Sequence, residues 1–267
     1  MCTCPPKYTL NPYTGCSHAC IYCYISTYIR KPFVSREKKE ILEDVRRDVR
    51  KISDFPVSLS NSSDPYPPIE KEKKVTREIL KIFRDNGIAY QVLTKSDIVK
   101  RDVDIIKDSR ASVGFTITTL KKEVYKILEP KAPSPYRRFK ALEKISQVKD
   151  TFIRLDPIIP FLNDGEIDEI IFEAKERGAK HVITSTFKPR KDSWQRFKVA
   201  FPDIAEKIEK EYVDRVCSSY YLRKEIRYRV LVKVKKSAER HGMSFSTCRE
   251  GIFKNSSETC DATHLIK

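Results

Sequence analysis

The sequence predicts an α/β fold built on a parallel sheet. Short β-like runs alternate with amphipathic helical stretches, about six such β/α units follow one another, and no Gly/Ser linker, low-complexity tract or fixed-period repeat divides them. Residues 7–10 form the first run and lead into a cysteine-rich loop. Residues 36–52 place Ile41, Val45, Val49 and Ile52 at helical spacing. Residues 57–59 read as the second strand, and 75–84 as a helix stopped by Asn86-Gly87, a pair suited to a left-handed cap. Residues 90–93, 112–118, 152–155 and 181–184 read as further strands, separated by helical stretches at 98–107, 137–148 and 167–177. Periodicity alone leaves open a closed or partial barrel and an open doubly wound sheet. Beyond Phe187 the texture changes. Charged stretches at 193–210 and 221–240 read as helices packed on the sheet, which divides the chain into 1–190 and a helical, cysteine-containing extension over 191–267.

A chain of 267 residues is long enough to bury roughly three quarters of its unfolded surface, so a sizeable core is expected. It contains no apolar run of the roughly 18 residues needed to span a bilayer, and Met1 is followed by cysteines, prolines and polar residues rather than a signal-peptide pattern. These features predict a cytoplasmic protein without a membrane partner. Eight cysteines, three of them in one loop, fit a reducing compartment. Scarce Gln beside abundant Lys, Glu and Ile is a composition met in thermophiles. Lys plus Arg number 53 against 37 Asp plus Glu, and the net charge of +16 attracts polyanions, nucleic acid foremost. The competing reading is that Lys-rich helices solvate a heat-adapted surface.

The stretch "GCSHACIYCY", residues 15–24, puts Cys16, Cys20 and Cys23 within eight residues. A tetrahedral structural metal needs a fourth ligand, and neither a second C-x2-C nor a His pair lies nearby. His18, wedged between two of the cysteines, reads as a polar loop residue. A four-iron cube instead offers each iron one outside position, so three thiolates leave one iron open to chelate a small molecule. A zinc knuckle completed from afar and a disulfide with a spare thiol are the alternatives. Polar groups also close successive strands: "SNSSDPYPPIE" over 60–70, "TKS" with Lys95, "GFTITT" with Thr116 and Thr118, and "RLDP" with Arg154 and Asp156. Each alone has an ordinary structural reading. In parallel barrels, however, the site lies at these strand ends.

The C-x3-C-x2-C spacing, with Tyr22 before the last cysteine, resembles the radical S-adenosylmethionine superfamily. That resemblance implies a partial (β/α)6 barrel with the cluster loop after its first strand, and a [4Fe-4S] cluster on Cys16, Cys20 and Cys23. It further implies that the open iron binds the amino and carboxylate groups of S-adenosylmethionine. An electron then cleaves the sulfonium to a 5′-deoxyadenosyl radical that takes hydrogen from substrate. Residues 11–160 are similar to the spore photoproduct lyase-related branch, through "CIYCY", "SSDPYPPIE", "TKS" and "FTIT". By that resemblance Tyr22 lies along the adenosine, Ser63, Lys95 and Thr116 contact S-adenosylmethionine, and Tyr24 matches a tyrosine active in hydrogen transfer. Arg154 and Asp156 are added as cofactor-binding candidates from the fifth strand end. One position departs. True lyases carry a hydrogen-donating cysteine two residues before the serine of "SD", where this chain has Asn61, and an amide cannot donate a hydrogen atom as a thiol can.

The expected activity is therefore radical hydrogen abstraction from a nucleic acid or nucleotide-bearing substrate, fed by an electron donor such as ferredoxin or flavodoxin. Two rivals are radical modification of a peptide or small metabolite, and a nucleic-acid-binding protein with a structural cluster. Five cysteines remain. Cys248 and Cys260 lie twelve residues apart in a loop-like stretch, while Cys2 and Cys4 precede the first strand. If the chain ends meet, these four would ligate a second centre, iron-sulfur or zinc; a disulfide or isolated thiols are the alternative. Cys217 is expected in the core.

Overall fold

A computed structural model describes residues 5–59, 62–252 and 258–267. Seven strands form one sheet: β1 (Tyr8–Leu10), β2 (Val57–Leu59), β3 (Tyr90–Thr94), β4 (Ala111–Thr116), β5 (Thr151–Ile158), β6 (Ala179–Thr186) and β7 (Ser244–Thr247). They are ordered in space as in sequence, and every pair is parallel. A doubly wound sheet must reverse its order at a switch point; this one never does, so it curls as part of a barrel. Strands β1 and β7 remain its two edges.

The main helices are α1 (Ile41–Asp48), α2 (Val75–Asp85), α3 (Lys122–Leu128), α4 (Pro135–Ser146), α5 (Ile167–Glu176), α6 (Lys191–Ala200), α7 (Pro202–Glu209) and α8 (Lys224–Arg240). Helix α2 buries Val75, Ile79, Leu80 and Phe83 against the sheet and ends where Gly87 takes a φ of 65°. Helix α4 opens with Pro135 after Ser134, whose hydroxyl accepts from the Arg137 amide.

The C-terminal part is less helical than its charge pattern predicts. Pro202 separates α6 from α7, and Tyr212–Val216 pairs with Ser219–Leu222 in an antiparallel hairpin. Cys217, expected in the core, is exposed in that hairpin's turn at φ 54°. Helix α8 then packs on α5 and returns the chain as β7 beside β6. Strand β7, "SFST", offers one apolar residue, too little for a pattern-based assignment; its Ser244 and Ser246 instead hydrogen-bond the buried ring of His181 on β6.

The last ten residues fill the N-terminal mouth of the sheet. Lys7 Nζ lies 2.6 Å from Asp261, the Gln91 amide donates to the Asp261 carbonyl, and Ser112 donates to the Ala262 carbonyl at 3.4 Å. Above them Phe152 crosses the interior so closely that a Cβ on Gly114 would stand 2.2 Å from its ring. Ala262 and Leu265 pack with Phe152 and Ile183. Chemistry is left to the opposite, C-terminal end of the strands.

Candidate functional site

At that end the register sets out a polar layer. Thr116 stands opposite Arg154 and Arg154 opposite Ile183, while the Thr94–Phe115 pair places Lys95 one step on, beside Thr116. Alternation turns Lys95, Thr116 and Arg154 to the same side of the sheet. Asp156, two residues further along β5, accepts from Arg154 Nε at 2.8 Å and Nη2 at 2.7 Å.

The cysteine loop enters directly after β1. Gly15 has a φ of 76°, and a Cβ there would meet the Val34 carbonyl at 2.3 Å, so only glycine fits. The loop is clamped from three sides. The Cys16 amide donates to the Pro32 carbonyl at 2.7 Å, the Ile21 amide to the Leu128 carbonyl at 3.0 Å, and the Lys131 amide to the His18 carbonyl at 3.3 Å. Arg196 of α6 completes the hold, donating through Nε to the Ile21 carbonyl (3.0 Å) and through Nη2 to the Cys23 carbonyl (2.7 Å) and the Ser26 hydroxyl (2.9 Å).

Cys20 is buried and Cys16 and Cys23 are half-buried; none is in a disulfide. Burial pushes the Cys16 thiol up to about 12, with Asp64 adding to the effect. Burial also raises Cys20 and Cys23, while Lys95 acts on both in the opposite sense. Thiols of this kind ionise when a metal takes the proton's place. Among the described residues no three Cys, His, Asp or Glu side chains converge closely enough to hold a single metal ion. A four-iron cube has no such requirement, because each thiolate binds its own iron. Three thiolates, each able to bind its own iron, fit a [4Fe-4S] cluster.

His18 is no ordinary polar loop residue. It is 2% exposed, its Nε2 lies 3.3 Å from Asp64 Oδ2, and Nδ1 has no hydrogen-bond partner among the described residues. Asp64 also accepts from the Tyr66 amide (2.9 Å), the Thr94 hydroxyl (2.6 Å) and the Lys95 amide (2.7 Å). Burial would raise its pKa; His18, the Thr94 hydroxyl and the Lys95 amide outweigh burial and hold the carboxyl at about 2. Asp64 thus joins the cysteine loop to the ends of β2 and β3.

Tyr22 is half-buried. Its hydroxyl donates to Glu129, and the Lys95 ammonium sits 5.5 Å from its ring centroid. Ser63 donates to the Tyr13 carbonyl at 2.6 Å, so its proton is already engaged. Tyr24 is 40% exposed at the loop's outer end, 6.1 Å from Tyr28, with Arg190 5.4 Å over its ring. Cys248 is half-buried beyond β7, its amide bonded to the Thr184 carbonyl, its thiol near Arg154 and its side chain packed on the cluster of Phe152, Ile183, Ala262 and Leu265; Cys260 is half-buried and adjoins Asp261. Cys2, Cys4 and Asn61 lie outside the described residues. Glu129, Arg138, Asp64 and Arg196 are the functional candidates absent from the sequence reading; their contacts with Tyr22, Thr116, Thr94 and Cys23 span 22 or more residues and leave no local pattern.

The described residues include no helix long and apolar enough to cross a membrane. An uncharacterized protein of Methanocaldococcus jannaschii is 37% identical over 178 residues, 63% of this chain and 66% of that protein, so the chain spans just under two thirds of the relative's length. Among solved structures, a spore photoproduct lyase variant with bound AdoMet and dinucleoside spore photoproduct superposes with a TM-score of 0.70 at 16% identity, covering 89% of this chain and 75% of that one. Streptococcus suis SuiB bound to S-adenosylmethionine follows at 0.62 and 14%, covering 92% and 51%. At these identities the likeness establishes the shared partial-barrel fold. The family model described as the Radical SAM superfamily matches residues 10–174, from the end of β1 through the cysteine loop and the polar strand ends into α5, and the chain belongs to that superfamily.

Proposed function

We propose that this chain is a radical S-adenosylmethionine enzyme of the spore photoproduct lyase-related branch, acting on nucleic acid or a nucleotide-bearing molecule. The observation that carries the reading is the placement of three free thiols, on a rigidly clamped loop, at the end of the sheet where Lys95, Thr116 and Arg154 form one layer. Cys16, Cys20 and Cys23 would hold the [4Fe-4S] cluster. When bound, that cluster supplies the electron that cleaves S-adenosylmethionine and so generates the hydrogen-abstracting radical. Tyr22 would lie along the adenosine, Lys95 would meet the carboxylate, and Ser63, Thr116, Arg154 and Asp156 would complete the pocket. Tyr24, the most exposed of these residues, would face substrate and serve hydrogen transfer.

Support for a polyanionic substrate comes from the net charge of +16 and from the cation–aromatic rim of Arg190, Tyr24 and Tyr28 beside the loop. With Asn61 in place of the lyase thiol, hydrogen return would need another donor. A cytoplasmic setting, with ferredoxin or flavodoxin as reductant, belongs to the same proposal. So does the division into a barrel unit (1–190) and an extension (191–267) that packs on it and adds β7 to the edge of its sheet. The test is anaerobic turnover with deuterated DNA, RNA, peptide or metabolite: deuterium should enter 5′-deoxyadenosine from a nucleic acid, and transfer only from a peptide or metabolite would overturn the substrate assignment.

We also propose a second metal centre on Cys2, Cys4, Cys248 and Cys260. Its support is the Lys7–Asp261 pair, which ties the N-terminal segment to the neighbour of Cys260. Folded protein lacking Cys16, Cys20 and Cys23 should retain iron or zinc; metal-free protein would eliminate the second centre.

A further inference from the structure

The least accessible charged groups near the cysteine loop are Glu129 and Arg138, both without solvent exposure, paired through Arg138 Nη1 and Glu129 Oε2 at 2.6 Å. Such a pair is expensive to bury, and its presence calls for a reason beyond stability. Its contacts supply one. Glu129 accepts from the Tyr22 hydroxyl and lies 3.9 Å from the Lys95 ammonium. Arg138 Nη1 donates at 3.0 Å to the carbonyl of Thr116, and Nε donates at 2.8 Å to the Pro133 carbonyl. One ion pair thus reaches three residues that stand in the cofactor pocket, from the cysteine loop, β3 and β4.

We propose that Glu129 and Arg138 are positioning residues that fix Tyr22, Lys95 and Thr116 relative to one another and present the Lys95 ammonium to the carboxylate of S-adenosylmethionine. The inference rests on the reading of Lys95 as the carboxylate contact. Charge explains how the device works. Glu129 is one anion between two cations, Arg138 and Lys95, and leaves a single positive charge for an incoming carboxylate to neutralise. Remove the Glu129 charge and the two cations repel across a poorly solvated gap. Arg138 is held by backbone carbonyls; Lys95, a flexible chain with a point charge, is the partner that moves. Arg138 Nη2 is buried with no hydrogen-bond partner among the described residues, so the guanidinium is placed for Glu129 and Thr116 at the expense of its own full satisfaction.

The test compares binding of S-adenosylmethionine and its decarboxylated analogue to reconstituted holoenzyme. Glu129→Gln should weaken S-adenosylmethionine about tenfold or more, the scale of one charge-assisted contact, and change the analogue by less than about twofold. Arg138→Lys should shift the same selectivity in smaller degree, and Glu129→Gln should add nothing in a Lys95→Ala background. Equal weakening of both ligands, or of neither, while Lys95→Ala still discriminates between them, overturns the positioning role and leaves the Lys95 contact standing. If Lys95→Ala itself fails to discriminate, the carboxylate reading falls and the inference with it.

Discussion

Arg196 sits on α6, outside the family-matched region, yet it holds the cysteine loop by two carbonyls and a hydroxyl. Arg196→Ala removes the bonds to the Ile21 and Cys23 carbonyls, and hydrogen bonds from a charged donor contribute about 1.5–3 kcal/mol each. The side chain is 27% exposed, so water recovers part of that loss. A net cost of about 2 kcal/mol follows, which for a chain of this size lowers the melting temperature by roughly 4–8 °C. Because the bonds act on the loop, the same 2 kcal/mol should raise the population of its open form by about thirtyfold. The assay is the rate at which a chelator strips iron from the reconstituted protein, read by the loss of cluster absorbance. Arg196→Ala should lose its cluster far faster than the parent, with Arg196→Lys between them. An unchanged stripping rate together with an unchanged melting temperature would refute the claim that the C-terminal extension braces the loop.

Other expectations follow from the same geometry. Replacing Cys16, Cys20 or Cys23 singly with Ala should abolish reductive cleavage of S-adenosylmethionine, and full activity in any one of the three would remove that residue from the ligand set. Gly114→Ala should destabilise the fold by about 1–3 kcal/mol, since its Cβ would stand 2.2 Å from the Phe152 ring, and adding Phe152→Leu should restore most of the loss in urea unfolding. An additive double mutant would show that the two do not collide. Duplex DNA affinity should fall with salt at a slope of roughly −0.9 per contacted phosphate; a flat response would favour a small-molecule or peptide substrate.

What could be read from the sequence was local. Strand–helix alternation and the capped end of α2 were legible because they are written within a few residues, and the three cysteines because their spacing is itself the signal. Strand β7 was not, because its identity lies in two serines that serve a histidine more than 60 residues away. Cys217 looked like a core residue by type, but its place in a hairpin turn exposes it. His18 looked like loop filler because nothing nearby foretells Asp64, which arrives from the far side of β2. Glu129 and Arg138 are the clearest case. Nothing local in "LEPKAPSPYRRF" marks them, and only the closing of the barrel brings them under Tyr22 and Lys95.

The central claim is that the clamped thiol loop and the polar layer beside it form a site for reductive cleavage of S-adenosylmethionine. The most direct measurement is the amount of 5′-deoxyadenosine formed when anaerobically reconstituted protein, carrying about four irons at the first site, is given S-adenosylmethionine and dithionite. The account predicts accumulation of 5′-deoxyadenosine by the parent protein and none by Cys20→Ala. A fully loaded parent that leaves S-adenosylmethionine intact, or a Cys20→Ala variant that cleaves it equally well, would contradict it.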